Sequence, residues 1–412
     1  MLTSNKEVAM KPKRISAMAP VGLVCLAGLM GVLAGPAQGA AEPLMKVQIT
    51  DTNNYQSGYV SHPDELKTQD DDALVGYVFE RVQFQGKQDP ELFIEVMDWV
   101  ASQWQHDGMN QPPAGMSSLE ILKKVHQDGE QYRCVEYGQV MADILAAMGH
   151  HTRSIGLQTV DVAYGGVGLG HVATEAWSNS LGKWVFFDPQ FSIYAQHDGE
   201  LLNIHEIFLL KQAGQFEDIE LVVTPRFAAA NNFQPEQLEE YRDFLGRYLG
   251  YHISRRYLHG EEQSVVLMME AQLPAITFQG MGTEHKRLFT RSSEVAYPQI
   301  NRTQVAMTAL PNAEAEGNFM GLIEKLKITT NEQYLENMSH FAAIGQVSMR
   351  FLSSMDSFSH YQVRENGQRW RTVEGQEYLW HLAEGANRFE VRSVSDAKVT
   401  GPITFVEIQY GP

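Results

Sequence analysis

The chain has 412 residues, with 50 acidic side chains against 32 basic ones and a formal charge of −18. An acidic balance of this size argues against nucleic-acid phosphates or anionic lipid as the main partner. The length allows two or three domains, each with its own core.

Lys11, Lys13 and Arg14 precede an apolar run from Val21 to Ala34, and the small residues GPAQGAA follow. This is the charged, apolar, small-residue order of a secretory signal peptide. It predicts export to the periplasm or the extracellular space, with cleavage after Gly39 or Ala41. Residues 1–41 hold four basic and one acidic side chain, so the remainder carries −21. No later stretch is long and apolar enough to cross a membrane. Cys25 lies in the leader, which leaves Cys134 as the only cysteine of the exported part. Such a thiol has no intramolecular disulfide partner. It is either a small buried hydrophobe or a reactive group.

Residues 42–75 read as irregular. Asp89-Pro90 predicts a helix start, with Asp as N-cap and Leu92, Phe93, Val96 and Val100 at helical spacing. Ser117 and Glu120 have capping-box spacing ahead of Ile121, Leu122 and Val125. Tyr137, Val140, Met141, Ile144, Leu145 and Met148 mark the buried stripe of a further helix. That helix starts near Arg133 or Cys134 and stops at Gly149. Its N-terminus, with unpaired N–H groups and the positive end of the helix dipole, favours a negative sulfur on Cys134.

TRSIGL (152–157) reads as a strand. VDVAYGGVGLG (160–170) is a glycine-rich loop without the context of a phosphate loop. His171–Trp177 and Gly182–Asp188 form the arms of a hairpin around a turn at SNSL. A register with Trp177 opposite Gly182 puts Glu175 opposite Trp184 and His171 opposite Asp188, on one face and about 5 Å apart. Residues 234–258 read as one helix with Leu238, Tyr241, Leu245, Tyr248 and Leu249 on one side. Beyond Ser264, short strand-like runs dominate, among them SVVLMME, AITFQ, QVAMTAL, IEKLKITT and TFVEIQY, which predicts a β-sandwich over at least the last hundred residues.

A cysteine nucleophile needs a base, a group that orients the base, and N–H donors for the oxyanion. Cys134, His171 and Asp188 fill the first two needs, and the backbone N–H of Cys134 serves the third. The pair of segments YRCVEYGQVMADILAAMGHHTRSIGL and GHVATEAWSNSLGKWVFFDPQ resembles the transglutaminase-like branch of the papain-like cysteine enzymes. The match is carried by Cys134, Gly149, Arg153, His171, Trp177, Trp184 and Asp188-Pro189, and SSLEILKK resembles the family's segment upstream of the cysteine. It covers roughly Pro90 to Ile207. Tyr132 stands where many members have glycine, and PPAGM lacks the oxyanion-binding tryptophan of the animal enzymes. The second oxyanion donor is therefore open, with Gln131 and Tyr132 as candidates by proximity. Trp177 and Trp184 read as hairpin packing, with Trp177 also a candidate pocket wall. Glu136 and Tyr137 read as a helix-surface residue and a core residue.

The resemblance implies a papain-like, transglutaminase-like catalytic domain, and with the strand-like runs beyond it the expected fold is α+β with an immunoglobulin-like β-sandwich at the C-terminal end. The expected division is a signal peptide at 1–41, an N-terminal extension at 42–88, the transglutaminase-like domain at 89–215, a helical connector at 216–262 and a β-rich region at 263–412. The implied reaction is thiol-dependent acyl transfer at an amide, with hydrolysis favoured, on a protein, peptide or cell-wall peptide substrate. It needs no cofactor. The alternatives are a protein-crosslinking transglutaminase, or a surface- or wall-binding module with a vestigial triad that acts through aromatics in SHYQVRENGQRWRTVEGQEYLWHL (359–382). His150-His151 invites a metal reading, but H-E-x-x-H and paired-cysteine spacings are lacking, and histidines suit a helix exit.

Overall fold

The computed structural model describes residues 44–55, 69–86, 88–159, 170–258, 261–270, 287–311 and 319–412. The expected leader at 1–41, most of the glycine-rich stretch (160–169) and the strand expected at 275–279 lie outside the described residues.

The chain is of mixed α+β class. Strand β1 (Lys46–Thr52) is followed by helices α1 (Gln69–Phe79), α2 (Glu91–Ala101), α3 (Ser118–Asp128) and α4 (Cys134–Ala147). Next come β2 (Thr152–Gln158), β3 (Gly170–Ser178), β4 (Lys183–Asp188), β5 (Ile193–His197) and β6 (Glu200–Leu201). Helix α5 (Ile204–Gln212), strand β7 (Glu220–Val223), and helices α6 (Pro225–Asn231) and α7 (Pro235–Arg247) lead to β8 (Tyr251–Leu258), β9 (Glu261–Met268) and β10 (Arg287–Thr290). The remaining strands are β11 (Gln304–Pro311), β12 (Ala343–Leu352), β13 (Phe358–Glu365), β14 (Arg371–Val373), β15 (Glu377–His381), β16 (Gly385–Ser395) and β17 (Thr404–Gly411).

Local chemistry explains the helix ends near the thiol. Ser117 Oγ accepts from the Glu120 N–H, and the Glu120 carboxylate accepts from the Ser117 N–H at 2.9 Å, a closed capping box. Gly129 ends α3 in the left-handed region at φ +72°. The expected cap at Asp89 is not used. Pro90 takes the N-cap position of α2, and the Asp89 carboxylate instead accepts from Ser178 Oγ and the Ser180 N–H at the turn between β3 and β4.

One sheet runs in the order β10-β9-β8-β2-β3-β4-β5-β6, with β7 also on β5. Helix α4 packs on the β3 side of this sheet, and its core joins Val140, Met141, Ile144 and Leu145 to Val185 and Phe187. The other face carries Ile155, Leu157, Ala173 and Phe186 against Tyr241, Leu245 and Leu249 from α7 and the turn after it. The single helix expected over 234–258 ends at Arg247, and 251–258 is strand β8. Main-chain pairing with β2 on one side and β9 on the other overrides the helical pattern there. Part of the expected connector, and the first β-strands after it, therefore belong to the sheet that holds His171 and Asp188.

The C-terminal strands form two antiparallel sheets, β1-β17-β16-β13-β14 and β11-β12-β15, around one core. Met349, Phe351 and Trp380 from one sheet meet Tyr361, Val363, Phe389 and Val406 from the other. Two expectations are corrected here. Residues 46–52, within the stretch read as irregular, form β1 and pair with β17. Residues Phe319–Lys325 are a helix, so IEKLKITT is not a strand. Of the aromatics in 359–382, Tyr361 and Trp380 are core residues. Trp370 lies under the guanidinium groups of Arg364 and Arg392 at 4.6 and 4.4 Å.

Two buried polar clusters tie the regions together. Asp356, ahead of β13, accepts from the His151 N–H at 3.1 Å and lies 3.4 Å from His150 Nδ1, while its carbonyl accepts from Asn179. The histidine pair is thus engaged at a junction with the C-terminal sheets. Glu175 is fully buried on β3. It accepts from Arg153 at 2.7 and 3.0 Å, from Tyr297 Oη at 3.0 Å and from the Ile204 N–H at 3.0 Å. Arg153 also lies over the rings of Trp184 and Tyr297 and donates to the Ala296 carbonyl. Removal of one member of a buried ion pair leaves the other uncompensated. Glu175→Ala is expected to cost about 3–5 kcal/mol in chemical denaturation.

Candidate active site

Cys134 is the first residue of α4. The residue is half-buried, and its thiol is not in a disulfide. Glu136, expected on the helix surface, is buried. Its carboxylate turns back to accept from the Arg133 N–H at 3.0 Å and pairs with the Arg133 guanidinium at 2.8 Å. This fixes the first turn of α4, whose remaining N–H groups face outward from the helix end. Tyr137 is core, as expected. Its ring stacks on Trp104 at 4.2 Å, and its hydroxyl donates to the Trp104 carbonyl.

The seat of α4 on β3 depends on Gly138. A Cβ at this position would lie 2.8 Å from Val172 Cγ1 and 2.9 Å from the Ala173 carbonyl oxygen. The absence of a side chain lets the helix backbone approach the strand, and Thr174 Oγ1 donates to the Gly138 carbonyl across the contact. The close approach brings the N-terminal end of α4 to the start of β3, where His171 stands.

His171 and Asp188 meet as expected, but by another register. The strands pair Trp177 with Trp184 and Glu175 with Phe186, two residues from the expected alignment. Side chains alternate with a period of two, so a shift of two keeps His171 and Asp188 on one face. They meet diagonally, with His171 Nε2 and Asp188 Oδ2 2.7 Å apart. The turn is correspondingly displaced, and Lys183 rather than Gly182 opens the second strand.

Asp188 is fully buried and accepts from three groups. His171 Nε2 and Tyr241 Oη share Oδ2, the latter at 2.8 Å, and the Gln190 N–H donates to Oδ1 at 3.1 Å. With Nε2–H committed to the carboxylate, Nδ1 is the imidazole nitrogen left for the thiol. The ring of His171 lies 5.0 Å from Phe244, 6.0 Å from Phe191 and 6.3 Å from Tyr248, an aromatic surround drawn from α7 and the loop after β4.

The electrostatics follow from these contacts. Burial pushes the Cys134 thiol up, but hydrogen bonds from His106 and His171, the His171 charge and the Val172 backbone outweigh it and bring the pKa down to about 6. Burial pushes His171 down, but the charge and hydrogen bond of Asp188, followed by those of Cys134, raise it to about 10. Between these values the pair is thiolate and imidazolium. Burial and the negative charge of Asp188 hold the Tyr241 hydroxyl well above the usual phenol range, so it stays a donor.

His106, absent from the sequence reading, reaches the thiol. Its loop is held beside the segment before α4: the Asp107 N–H donates to the Tyr132 carbonyl at 3.0 Å, and Asn110 Nδ2 donates to the Gln131 carbonyl at 2.7 Å. The only sequence signal was the neighbourhood WQHDG, upstream of the capped helix α3. The other pocket expectations fare differently. Gln131 is exposed. Tyr132 is buried in the core, edge-on to Trp104. Trp177 lies six residues along β3 from His171, and its indole N–H is committed to Asn179 and Asn301. It packs on Trp184 and Ile300 and does not line the thiol site.

No group of three or more His, Cys, Asp or Glu side chains among the described residues is arranged to hold a metal ion. Compared with known proteins, the chain matches no family model and no curated protein.

The geometry predicts that alkylation of Cys134 has its half-point near pH 6. In His171→Ala the imidazolium charge and its hydrogen bond to the sulfur are lost, while burial and the support of His106 and the Val172 backbone remain. The half-point is then expected to move up by about two units, toward the free-thiol value of about 8.5. Gly138→Ala keeps every polar group but props α4 away from β3. It is expected to lower the melting temperature and to slow alkylation at pH 7, with intact His171 as the contrast.

Proposed function

We propose that the chain is a thiol-dependent acyl transferase acting on amides, most simply a hydrolase, built as a transglutaminase-like domain of the papain-like type with an immunoglobulin-like β-sandwich behind it. The single observation that carries this reading is the meeting of Cys134, His171 and Asp188 from α4, β3 and β4 around one buried hydrogen bond. Export of the protein to the periplasm or exterior is part of the proposal and rests on the residue order of 11–41.

In this mechanism the Cys134 thiolate attacks the amide carbonyl carbon, and the carbonyl π electrons move to oxygen. The oxyanion forms at the N-terminus of α4, where the Cys134 N–H and the helix dipole favour it. His106, which supports the thiolate, is the side chain this reading assigns as second donor, in place of Gln131 or Tyr132. As the tetrahedral adduct collapses, the C–N bond breaks and the leaving amine takes the proton from His171 Nδ1. The neutral imidazole then draws a proton from water, which attacks the thioester and releases the carboxylic acid and the thiolate. Asp188 holds the imidazole orientation throughout. An amine in place of water would give a cross-link by the same steps. The acceptor that wins depends on how far water is excluded.

The test is amine release from protein, peptide and cell-wall peptide amides. Cys134→Ser is expected to abolish turnover, and His171→Ala to lower it by a factor on the order of 10²–10⁴. Amine release that continues in Cys134→Ser would sink the reading. Partner binding that survives loss of Cys134, without any turnover, would favour a binding module.

A further inference from the structure

We infer that Tyr241 is a positioning residue of this site: from helix α7, outside the segments that carry the thiol and the imidazole, its hydroxyl fixes the Asp188 carboxylate and sets how firmly that carboxylate holds His171.

The geometry is specific. Asp188 has no exposure, so each carboxylate oxygen must find its donors within the protein. Oδ1 takes the N–H of Gln190, two residues on in the same turn. Oδ2 takes two donors, His171 Nε2 at 2.7 Å and Tyr241 Oη at 2.8 Å. With both oxygens pinned, the carboxylate plane cannot swing, and the imidazole is held with Nε2–H toward Asp188 and Nδ1 toward Cys134. The phenol is held in turn. Its ring lies 5.1 Å from Phe191 and 5.9 Å from Phe244. Helix α7 is fastened one residue later by Arg242, which donates to the carbonyls of Phe216 and Ile219 at 3.0 and 2.9 Å.

The electrical consequence follows from the shared oxygen. A hydrogen bond from Tyr241 draws negative charge from Oδ2 and so weakens the hold of Asp188 on the imidazolium proton. An imidazolium held too firmly is a poor acid for a leaving amine. Among the described residues the titratable groups that face His171 are Cys134 from α4, Asp188 from β4, Tyr241 from α7 and Tyr248 just after it. Phe191 and Phe244 complete the surround with apolar rings, and His106 acts through the sulfur. Of these groups, Tyr241 is the neutral one that donates a hydrogen bond to the carboxylate.

The test is a nitrogen-15 histidine NMR titration of His171 in the full chain, with its signals assigned by their loss in His171→Ala. Tyr241→Phe removes the donor and is expected to raise the His171 titration by about one pH unit, the size of one charge-assisted hydrogen bond. 3-Fluorotyrosine introduced at position 241 keeps the shape, makes a stronger donor and is expected to shift the titration the opposite way. A merely structural tyrosine would not give shifts of opposite sign. If Tyr241→Phe fails to fold, the fluorinated protein decides alone. An unmoved His171 titration in folded protein overturns the inference. The role of Tyr241 in acyl transfer rests on the proposed function, and there Tyr241→Phe is expected to lower amide turnover about tenfold. Shifted titrations in a protein without amide turnover would uphold the positioning role and reject the acyl-transfer reading instead.

Discussion

A carboxylate with no access to water sits at the centre of this molecule's chemistry. Burial of a bare Asp188 would be prohibitive, and the surrounding chain is built to make it tolerable. A strand supplies the imidazole, a turn supplies a main-chain N–H, and a helix from the far side supplies a phenol. Each donor comes from an element that must be in place before the charge is stable. The folding of β3, β4 and α7 is therefore coupled to the electrostatics of the thiol, because the charge on His171 that stabilises the thiolate is itself held by Asp188. The steric counterpart is Gly138, without which the helix end carrying Cys134 could not come down onto the strand.

The parts of this arrangement that were legible in the sequence are those written in one local pattern. The helix under Cys134, the capped helix before it and the hairpin carrying His171 and Asp188 all announce themselves by spacing and turn chemistry. The register of the hairpin differs by two residues from the one its turn suggests, and His171 and Asp188 still meet because the strand period returns the side chains to the same face after two. A slip of one would have separated the pair. Tyr241 was seen only as part of an apolar helix stripe, and His106 was not seen at all. Both reach the site through loops and packing whose geometry no local pattern encodes. The same limit explains YHISRRYL, where pairing on both flanks decides for strand against a helical run, and Phe319–Lys325, where a short amphipathic stretch is compatible with either state.

The two buried polar clusters away from the thiol have a different office. Glu175 joins β2, β3, the start of α5 and the segment at Ala296–Tyr297, and Asp356 joins the exit of α4 to the C-terminal sheets. Apolar packing alone is tolerant of small slips. A charge that must meet several donors is not, and such groups fix the relative placement of elements more sharply than they add stability. Glu175 lies on the same strand and the same face as His171, so the network that holds it also holds the strand that carries the imidazole.

The pairing of β1 with β17 joins residues 46–52 to residues 406–411, the most distant partners in the described chain. During synthesis β1 must therefore wait for β17. Until then the edge of β16 that receives β17, and β1 itself, remain open ladders on a growing chain. The sheet cannot be finished piecemeal, and loop-closure entropy is met only at the end. Whatever keeps the nascent polypeptide from pairing wrongly must act over the whole span from β1 to β17, and this sheet is completed only when β17 has been made.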